Sequence, residues 1–480
     1  MEYAQLLAFV SNVLFVTALG WYLITNLQWY DYRIERVVLR HHKSWWHIVY
    51  FIIPFVAYYA TGQFFWILLL FGYLPALLLW HRRLDKKLVL TWRVKRFLIL
   101  LVGLTLFQDV LCTLKEACQV YGVFLPLALA YLGSTGIERY LFEAYKRQAQ
   151  RKLERMKELR IVCVTGSYGK TSMKNFMTQI LSGSYRVYAT PRSVNTIGGI
   201  VRDVNEALSE DTQVYVCEAG AREQGDIYRI AQLLHPQVVV VGKVGPQHLE
   251  YFKSVDRIKR TKLELMQSDR LERAFVHTSV TEEPHGKVTH FGKGISDLEA
   301  TLEGTSFTLD TGDTTLHLQT KILGAFQAIN INAAVLVAKE LGVSDEKIVS
   351  AVAQLKSVEH RLERIDAGGK VILDDGYNGN IDGMKEGIRL CSLHPGRKVI
   401  VTPGLVESTE ALNIELAEAI NGVFDVAIVT GTLNSALFDR LLTVPQKIIL
   451  PKKERLQQVL AEQTRPGDII IFSNDAPNFI

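Results

Sequence analysis

Leu6 to Thr25 is an apolar run of bilayer-spanning length with Asn12 as the one strongly polar residue inside it, and it restricts the fold more than any other stretch. It lacks a basic leading region and a small-residue cleavage site, so it reads as a retained span rather than a signal peptide. Further apolar runs follow at Trp45 to Trp80, Phe97 to Leu114 and Val120 to Gly136. The first of these is too long for one crossing. Gly62 and Gln63 near its middle predict a tight hairpin between two short spans, with Trp and Tyr at the edges as interface anchors. The reading is a membrane domain of about five helices over residues 1–137. Composition agrees: 48% of the 480 residues are hydrophobic although 21% are charged, and the apolar excess sits before about residue 137.

The loops orient these spans. Arg33, Arg36, Arg40 and Lys43 occupy the first loop, and Arg82, Arg83, Lys86, Lys87, Arg93, Lys95 and Arg96 the second, whereas the loop after the run Phe97 to Leu114 has only Lys115. If basic loops face the cytoplasm, the N-terminus lies outside and everything after residue 137 inside. The rival reading makes these runs core helices of a soluble domain. Asp109, within the run Phe97 to Leu114, marks either a position near the interface or a polar site in the bilayer. The net charge of +5 is modest and gathers beside apolar runs, not on a face suited to nucleic acid. Five cysteines without a Cys-x-x-Cys pair argue against a zinc site or a disulfide framework and fit a reducing compartment for the body.

Residues 138–160 read as a basic connector helix, lying on anionic headgroups or standing in solvent. From Ile161 the chain alternates short β-rich runs with helical stretches, as a parallel α/β sheet requires. Thr165-Gly166-Ser167-Tyr168-Gly169-Lys170-Thr171 stands where the run Ile161 to Val164 gives way to a helix from Ser172. Glycines there let backbone N–H groups approach phosphate oxygens, the helix N-terminus adds partial positive charge, Lys170 supplies a full charge, and Thr171 can ligate Mg²⁺. Val164 occupies the place of the first glycine of a general P-loop, so the match is to a shorter form. Glu218 ends the run Val214 to Cys217, on the side where doubly wound sheets bind ligands, and His248 falls just beyond the run Val238 to Val241. A polar, Gly- and Thr-rich β insertion around 286–318 and a helix from about Asn330 follow, so 161–358 reads as an ATP-binding domain. Strand candidates at Val371, Val399, Val426 and Asp468 give 359–480 a second, smaller α/β pattern.

Gly-Ser-Tyr-Gly-Lys170-Thr171, Asn195-Thr-Ile-Gly-Gly, Glu218-Ala-Gly-Ala, Gly-Pro-Gln-His248-Leu-Glu, Lys262, Gly324-Ala-Phe-Gln-Ala-Ile-Asn330, His360-Arg361 and Asp374-Asp375-Gly-Tyr377-Asn378 occur in this order. Order and spacing resemble the Mur ligases, ATP-dependent amide-forming enzymes of peptidoglycan precursor synthesis. The Asp-Asp-Gly-Tyr-Asn-Gly-Asn stretch is similar to the branch that joins D-alanyl-D-alanine to UDP-N-acetylmuramoyl-tripeptide. The implied fold is a multi-span helical membrane segment, then a Mur-ligase-like P-loop ATPase α/β domain, then a C-terminal Rossmann-like α/β domain.

The resemblance also implies roles. Gly166, Ser167, Gly169, Lys170 and Thr171 would hold the ATP phosphates, and Thr171 and Glu218 one Mg²⁺. His248 and Lys262, the latter carbamylated, would serve a second Mg²⁺, and Lys170, Glu218, His248 and Lys262 form the implied catalytic set. Asn195, Asn330, Arg361, Asp375, Tyr377 and Asn378 would complete the nucleotide site, Arg361 and Asp375 arriving on domain closure. The implied partners are UDP-N-acetylmuramoyl-tripeptide, D-alanyl-D-alanine, the bilayer and other membrane-bound cell-wall enzymes, and the implied place is the bacterial cytoplasmic membrane. The family's first domain, which recognises the UDP-sugar, has no counterpart before Ile161. Lys243, Ala325, Ile381 and the stretch Phe472 to Pro477 also depart from its pattern. Rival readings are a membrane-bound ligase for another polymer, of the poly-γ-glutamate or cyanophycin type, and a non-ligase membrane protein with an ATP-binding body.

Overall fold

The computed structural model describes residues 3–39, 41–84, 86–115, 120–245, 252–280, 286–377, 379–406 and 408–475. They fall into two compact units, 1–145 and 146–480.

The first unit is helical. Three of its stretches are long and apolar enough to cross a membrane: Gln5–Trp29, Trp45–Arg82 and Trp92–Lys115. The second doubles back at Gly62, whose φ of +54° lies in the region open to glycine. The Tyr73 hydroxyl donates to the Tyr50 carbonyl at 2.9 Å, a contact that a straight helix would separate by about 35 Å. Phe15 of the first span packs on Tyr58 and Phe65 from the two arms, with ring centroids 5.3 and 4.7 Å apart. Gly20 lets the first and third spans close in, since a Cβ there would lie 2.1 Å from Leu101 Cδ2. Ile99, Phe107 and Leu132 stay exposed while Asn12, Thr105 and Asp109 are buried, the reverse of a soluble domain. The helix Phe124–Arg155 is not among the spanning candidates, and it runs through residue 137 without a break. The change there from apolar to charged side chains is one of composition, and Gly136 alone costs a helix only about 1 kcal/mol. Cys112 is disulfide-bonded, which the cysteine spacing does not suggest, while Cys163, Cys217 and Cys391 are free and buried.

The second unit holds two doubly wound layers. Strands β1 (Arg160–Thr165), β2 (Val187–Ala189), β3 (Val214–Glu218), β4 (Val238–Val241), β5 (Arg273–His277) and β6 (Val288–Phe291) form one parallel sheet in the order β2-β3-β1-β4-β5-β6. The strand cores are Val-rich and wholly buried, as strands covered on both faces must be. An antiparallel sheet of β7 (Ile295–Ala300), β8 (Thr305–Asp310) and β9 (Thr315–Thr320) makes up the Gly/Thr-rich insertion. Phe176, Met177 and Ile180 of the Lys170–Ser182 helix and Ile331, Val335 and Ala338 of the Ala325–Glu340 helix join the core against the first sheet.

The remaining strands, β10 (Glu363–Ala367), β11 (Lys370–Asp375), β12 (Lys398–Thr402), β13 (Val426–Thr430), β14 (Gln446–Leu450) and β15 (Ile469–Ser473), form a sheet ordered β10-β11-β15-β12-β13-β14. β10 is antiparallel to β11 and the other pairings are parallel. β15, last in sequence, sits between β11 and β12.

Candidate active site

The loop leaving β1 is shaped by close approaches. A Cβ on Gly166 would lie 3.2 Å from the Gly242 backbone, and Gly169 adopts a φ of +75° with its Cβ position 2.4 Å from Asn330 Oδ1. Neither place admits a side chain without displacing its neighbour. Ser167 N–H donates to the Lys243 carbonyl at 2.9 Å, which ties the loop to the end of β4. The helix begins at Lys170, so the N–H groups of its first turn have no intrahelical acceptor and point toward any anion at the loop. Lys170 Nζ folds back onto the carbonyls of Gly166 (2.9 Å) and Ser167 (3.1 Å). Burial pulls this ammonium below its ordinary lysine range while Glu218 works against the fall.

Glu218, the last residue of β3, is buried but well partnered. Thr171 Oγ1 donates to its Oε2 at 2.9 Å, Asn195 Nδ2 donates to Oε1 at 3.3 Å, and Lys174 Nζ stands 3.9 Å from Oε2. Lys174 is itself buried and donates to the Thr190 carbonyl at 2.6 Å. Sequence reasoning missed it, although its place one turn after Lys170 puts it on the same face of the helix. Lys262, on the helix Val255–Leu263, is buried, and its amine is pushed down to about 7 by desolvation and then by Lys170, against the pull of Asp226, Glu218 and Glu264. Glu264 accepts from the N–H groups of Gly225 and Tyr228.

A cavity of about 780 Å³ gathers Ser167, Gly169, Lys170, Thr171, Asn195 and Glu218 from the first sheet's loops with Asn330, Arg361, Asp375 and Tyr377. Lys262 is buried and is not part of this lining. His248 and Asn378 fall outside the described residues. Arg361 donates to the Tyr377 carbonyl at 2.5 Å, and burial lowers its guanidinium while Asp375 and Glu218 oppose that fall.

Two further cationic residues that the role assignment passed over join the lining. Arg192 pairs with Glu359 at 2.5 Å and stands 4.6 Å over the Tyr377 ring, and Lys243 pairs with Asp382 at 2.7 Å. Both link the β1–β6 layer to the β10–β15 layer. Nothing local in the sequence signals the second pair, whose members are 139 residues apart. Among the described residues no group of three or more His, Cys, Asp or Glu is placed to hold a metal, so any cation here relies on mixed oxygen donors such as Thr171 and Glu218.

The family described as Mur ligase middle domain matches residues 164–338. The UDP-N-acetylmuramoyl-tripeptide–D-alanyl-D-alanine ligase of Bacillus subtilis strain 168 is 28% identical over 335 residues, covering 65% of this chain and 72% of that protein. Its namesake in Mycobacterium tuberculosis strain H37Rv is 30% identical over 251 residues, and the chain spans about half of that relative's length, 48% of each. In fold the chain is similar to the MurF ligase of Thermotoga maritima, solved in complex with ADP, at a TM-score of 0.62 and 24% identity over 70% of this chain and 80% of that one. With a glycine-lysine-threonine loop on a parallel sheet, a buried strand-end glutamate and a second α/β layer lining the same cavity, the chain is similar to the Mur ligases, whose middle domain it matches over residues 164–338.

Proposed function

We propose that this chain is an ATP-dependent, ADP-forming ligase that joins D-alanyl-D-alanine to UDP-N-acetylmuramoyl-tripeptide in peptidoglycan precursor synthesis. The observation that carries the reading is the single cavity in which Lys170, Thr171 and Glu218 meet Arg361 and Asp375 from the other layer. The names of the relatives supply the substrates.

A carboxylate resists attack by an amine until an oxygen becomes part of a good leaving group, so transfer of the γ-phosphoryl to the tripeptide carboxylate precedes amide formation. The amine of D-alanyl-D-alanine then attacks the acyl phosphate and phosphate departs. The Lys170 ammonium and the first-turn N–H groups of its helix stabilise charge on the moving phosphoryl, and Arg361 adds charge from the opposite wall. Closure of the second layer excludes water that would hydrolyse the acyl phosphate.

The residues present suit Mg²⁺. Thr171 Oγ1 and Glu218 Oε2, 2.9 Å apart, are hard oxygen donors at the mouth of the phosphate loop. When bound, the ion would neutralise phosphate oxygens. Lys262, with its amine near neutrality at physiological pH, is the group able to take up CO₂ as a carbamate, and as a carbamate it would offer oxygens for a second Mg²⁺ with His248. A protonated lysine offers no such donor.

We place residues 3–137 in a bacterial cytoplasmic membrane, the apolar first half of the Phe124–Arg155 helix returning the chain to the inner side, with the N-terminus outside and the body in the cytoplasm. The basic loops at Arg33–Lys43 and Arg82–Arg96 support this orientation. So does the disulfide at Cys112, near the far end of the third span from those loops and hence on the oxidising side.

The test is ATP turnover by the full chain in detergent or nanodiscs. Turnover should require both UDP-N-acetylmuramoyl-tripeptide and D-alanyl-D-alanine, and equal ADP release without them would remove the proposal.

A further inference from the structure

In the membrane unit two buried oxygens stand without a partner. Asn12, on the first span, and Asp109, on the third, are both 0% exposed, and among the described residues Asn12 Oδ1 and Asp109 Oδ2 have no hydrogen-bond partner. Asn12 and Gln108, the neighbour of Asp109, converge on one backbone carbonyl. Asn12 Nδ2 donates to the Gly122 carbonyl at 3.5 Å, and Gln108 Nε2 donates to the same carbonyl at 2.8 Å and to Asp109 Oδ1 at 3.4 Å. Tyr58, from the hairpin, donates to the neighbouring Tyr121 carbonyl at 3.1 Å.

Both residues also lie at one depth. Asn12 is seven residues into a span that starts at Gln5, and Asp109 six residues before the end of one that stops at Lys115, so each is about 10 Å from the same end of the unit.

The chemistry of this cluster is lopsided. Its unmet atoms are both acceptors, one of them on a carboxyl, and the titratable group facing Asp109 is the Tyr58 phenol, with Tyr59 and Tyr121 beside that ring. An ionised carboxylate left unpaired in an apolar interior is costly, and an unmet amide oxygen adds to that cost. One positive species between them satisfies both. We propose that Asn12 and Asp109 form an intramembrane binding site for one small monovalent cation, a proton or a sodium ion. In the proton form Asp109 Oδ2 carries the proton and donates it to Asn12 Oδ1. In the sodium form both oxygens are ligands. The membrane unit is then a ligand-responsive element in its own right, independent of the ligase reading.

The seven tryptophans all lie between Trp21 and Trp92, so tryptophan fluorescence follows the melting of this unit within the full chain. The measurement is the melting temperature in nanodiscs, in choline chloride or sodium chloride, from pH 5 to 9. A sodium site raises it by roughly 5 °C when sodium replaces choline at fixed pH. A proton site instead lowers it by a similar amount as pH rises in choline, because the folded unit loses its bound proton. Asp109→Asn, which is neutral and nearly isosteric, should abolish either response. Should that variant fail to fold, Asn12→Ala should shift the sodium midpoint or the pH midpoint instead. A parent protein indifferent to both ions, or an Asp109→Asn protein that keeps the response, overturns the proposal.

Discussion

The two units treat a buried carboxylate in opposite ways. In the ligase body Glu218 is met by Thr171, Asn195 and Lys174, and Glu264 is held by two backbone N–H groups. In the membrane unit Asp109 keeps an unmet oxygen, and the surface around it is Ile, Phe and Leu. The difference follows from the surroundings. A body in water can place surplus charge outside, so what it buries is built into a network; a body in lipid must keep polar groups within, and completes them with whatever it can bind. The buried carboxylate beside the phosphate loop is fully partnered, whereas the one in the apolar helical unit keeps an open acceptor.

Lys170→Ala should break the reaction side alone. Turnover falls by about 10³-fold or more, since the loss removes charge at the moving phosphoryl, while the tryptophan-monitored melt stays put. Steady-state ADP release and fluorescence melting on one preparation check both halves. Lys174→Met removes the cation beside Glu218 and should lower kcat about 10- to 100-fold while raising the Mg²⁺ concentration for half-maximal rate. Partial rescue by Lys174→Arg distinguishes charge from packing.

The Lys262 amine, lowered to about 7, should give an acid limb in the rate profile near that pH that shifts with added bicarbonate and is lost with Lys262→Arg. The sign for stability is fixed by the same shift. Between about 7 and the ordinary lysine value of 10.5 the unfolded chain binds more protons, so the body gains stability as pH rises through that window. Gly20→Val tests the other unit. Overpacking against Leu101 should cost about 1–3 kcal/mol and lower the tryptophan melt while kcat is kept. The smallest effect belongs to Lys243→Ala. Its pair with Asp382 is exposed, worth about 0.2–1 kcal/mol, and a KM change for ATP of less than about fivefold should shrink further in high salt.

What could be read from the sequence was local. The strand, glycine turn, lysine and helix at 161–181 are contiguous, and the hairpin at Gly62 follows from a run too long for one crossing beside a turn residue. Glu218 was legible as a polar end to a buried strand. Arg361 and Asp375 rested on resemblance alone, because only tertiary folding carries them to the phosphate loop. Lys174 passed unnoticed since a lysine on a helix ordinarily points to solvent, and its burial depends on β2 and β3. The pairs Arg192–Glu359 and Lys243–Asp382 join residues far apart in the chain. β10 escaped because Glu363–Ala367 is a half-exposed edge strand without apolar alternation. The continuous helix through residue 137 escaped because composition changes there and backbone conformation does not.

The place of β15 has a consequence for synthesis. Its pairings with β11 and β12 hold together the two halves of the second sheet, and it is translated about 65 residues after β12. Until Ser473 clears the ribosome, the strands on either side have no partner between them, and two apolar edges stay open during elongation. The first sheet, complete by Phe291, can fold while the second is still being made. The nascent chain therefore presents a formed phosphate loop well before it has the layer that covers it, and a ribosome stalled before β15 would release a nucleotide-binding protein unable to close.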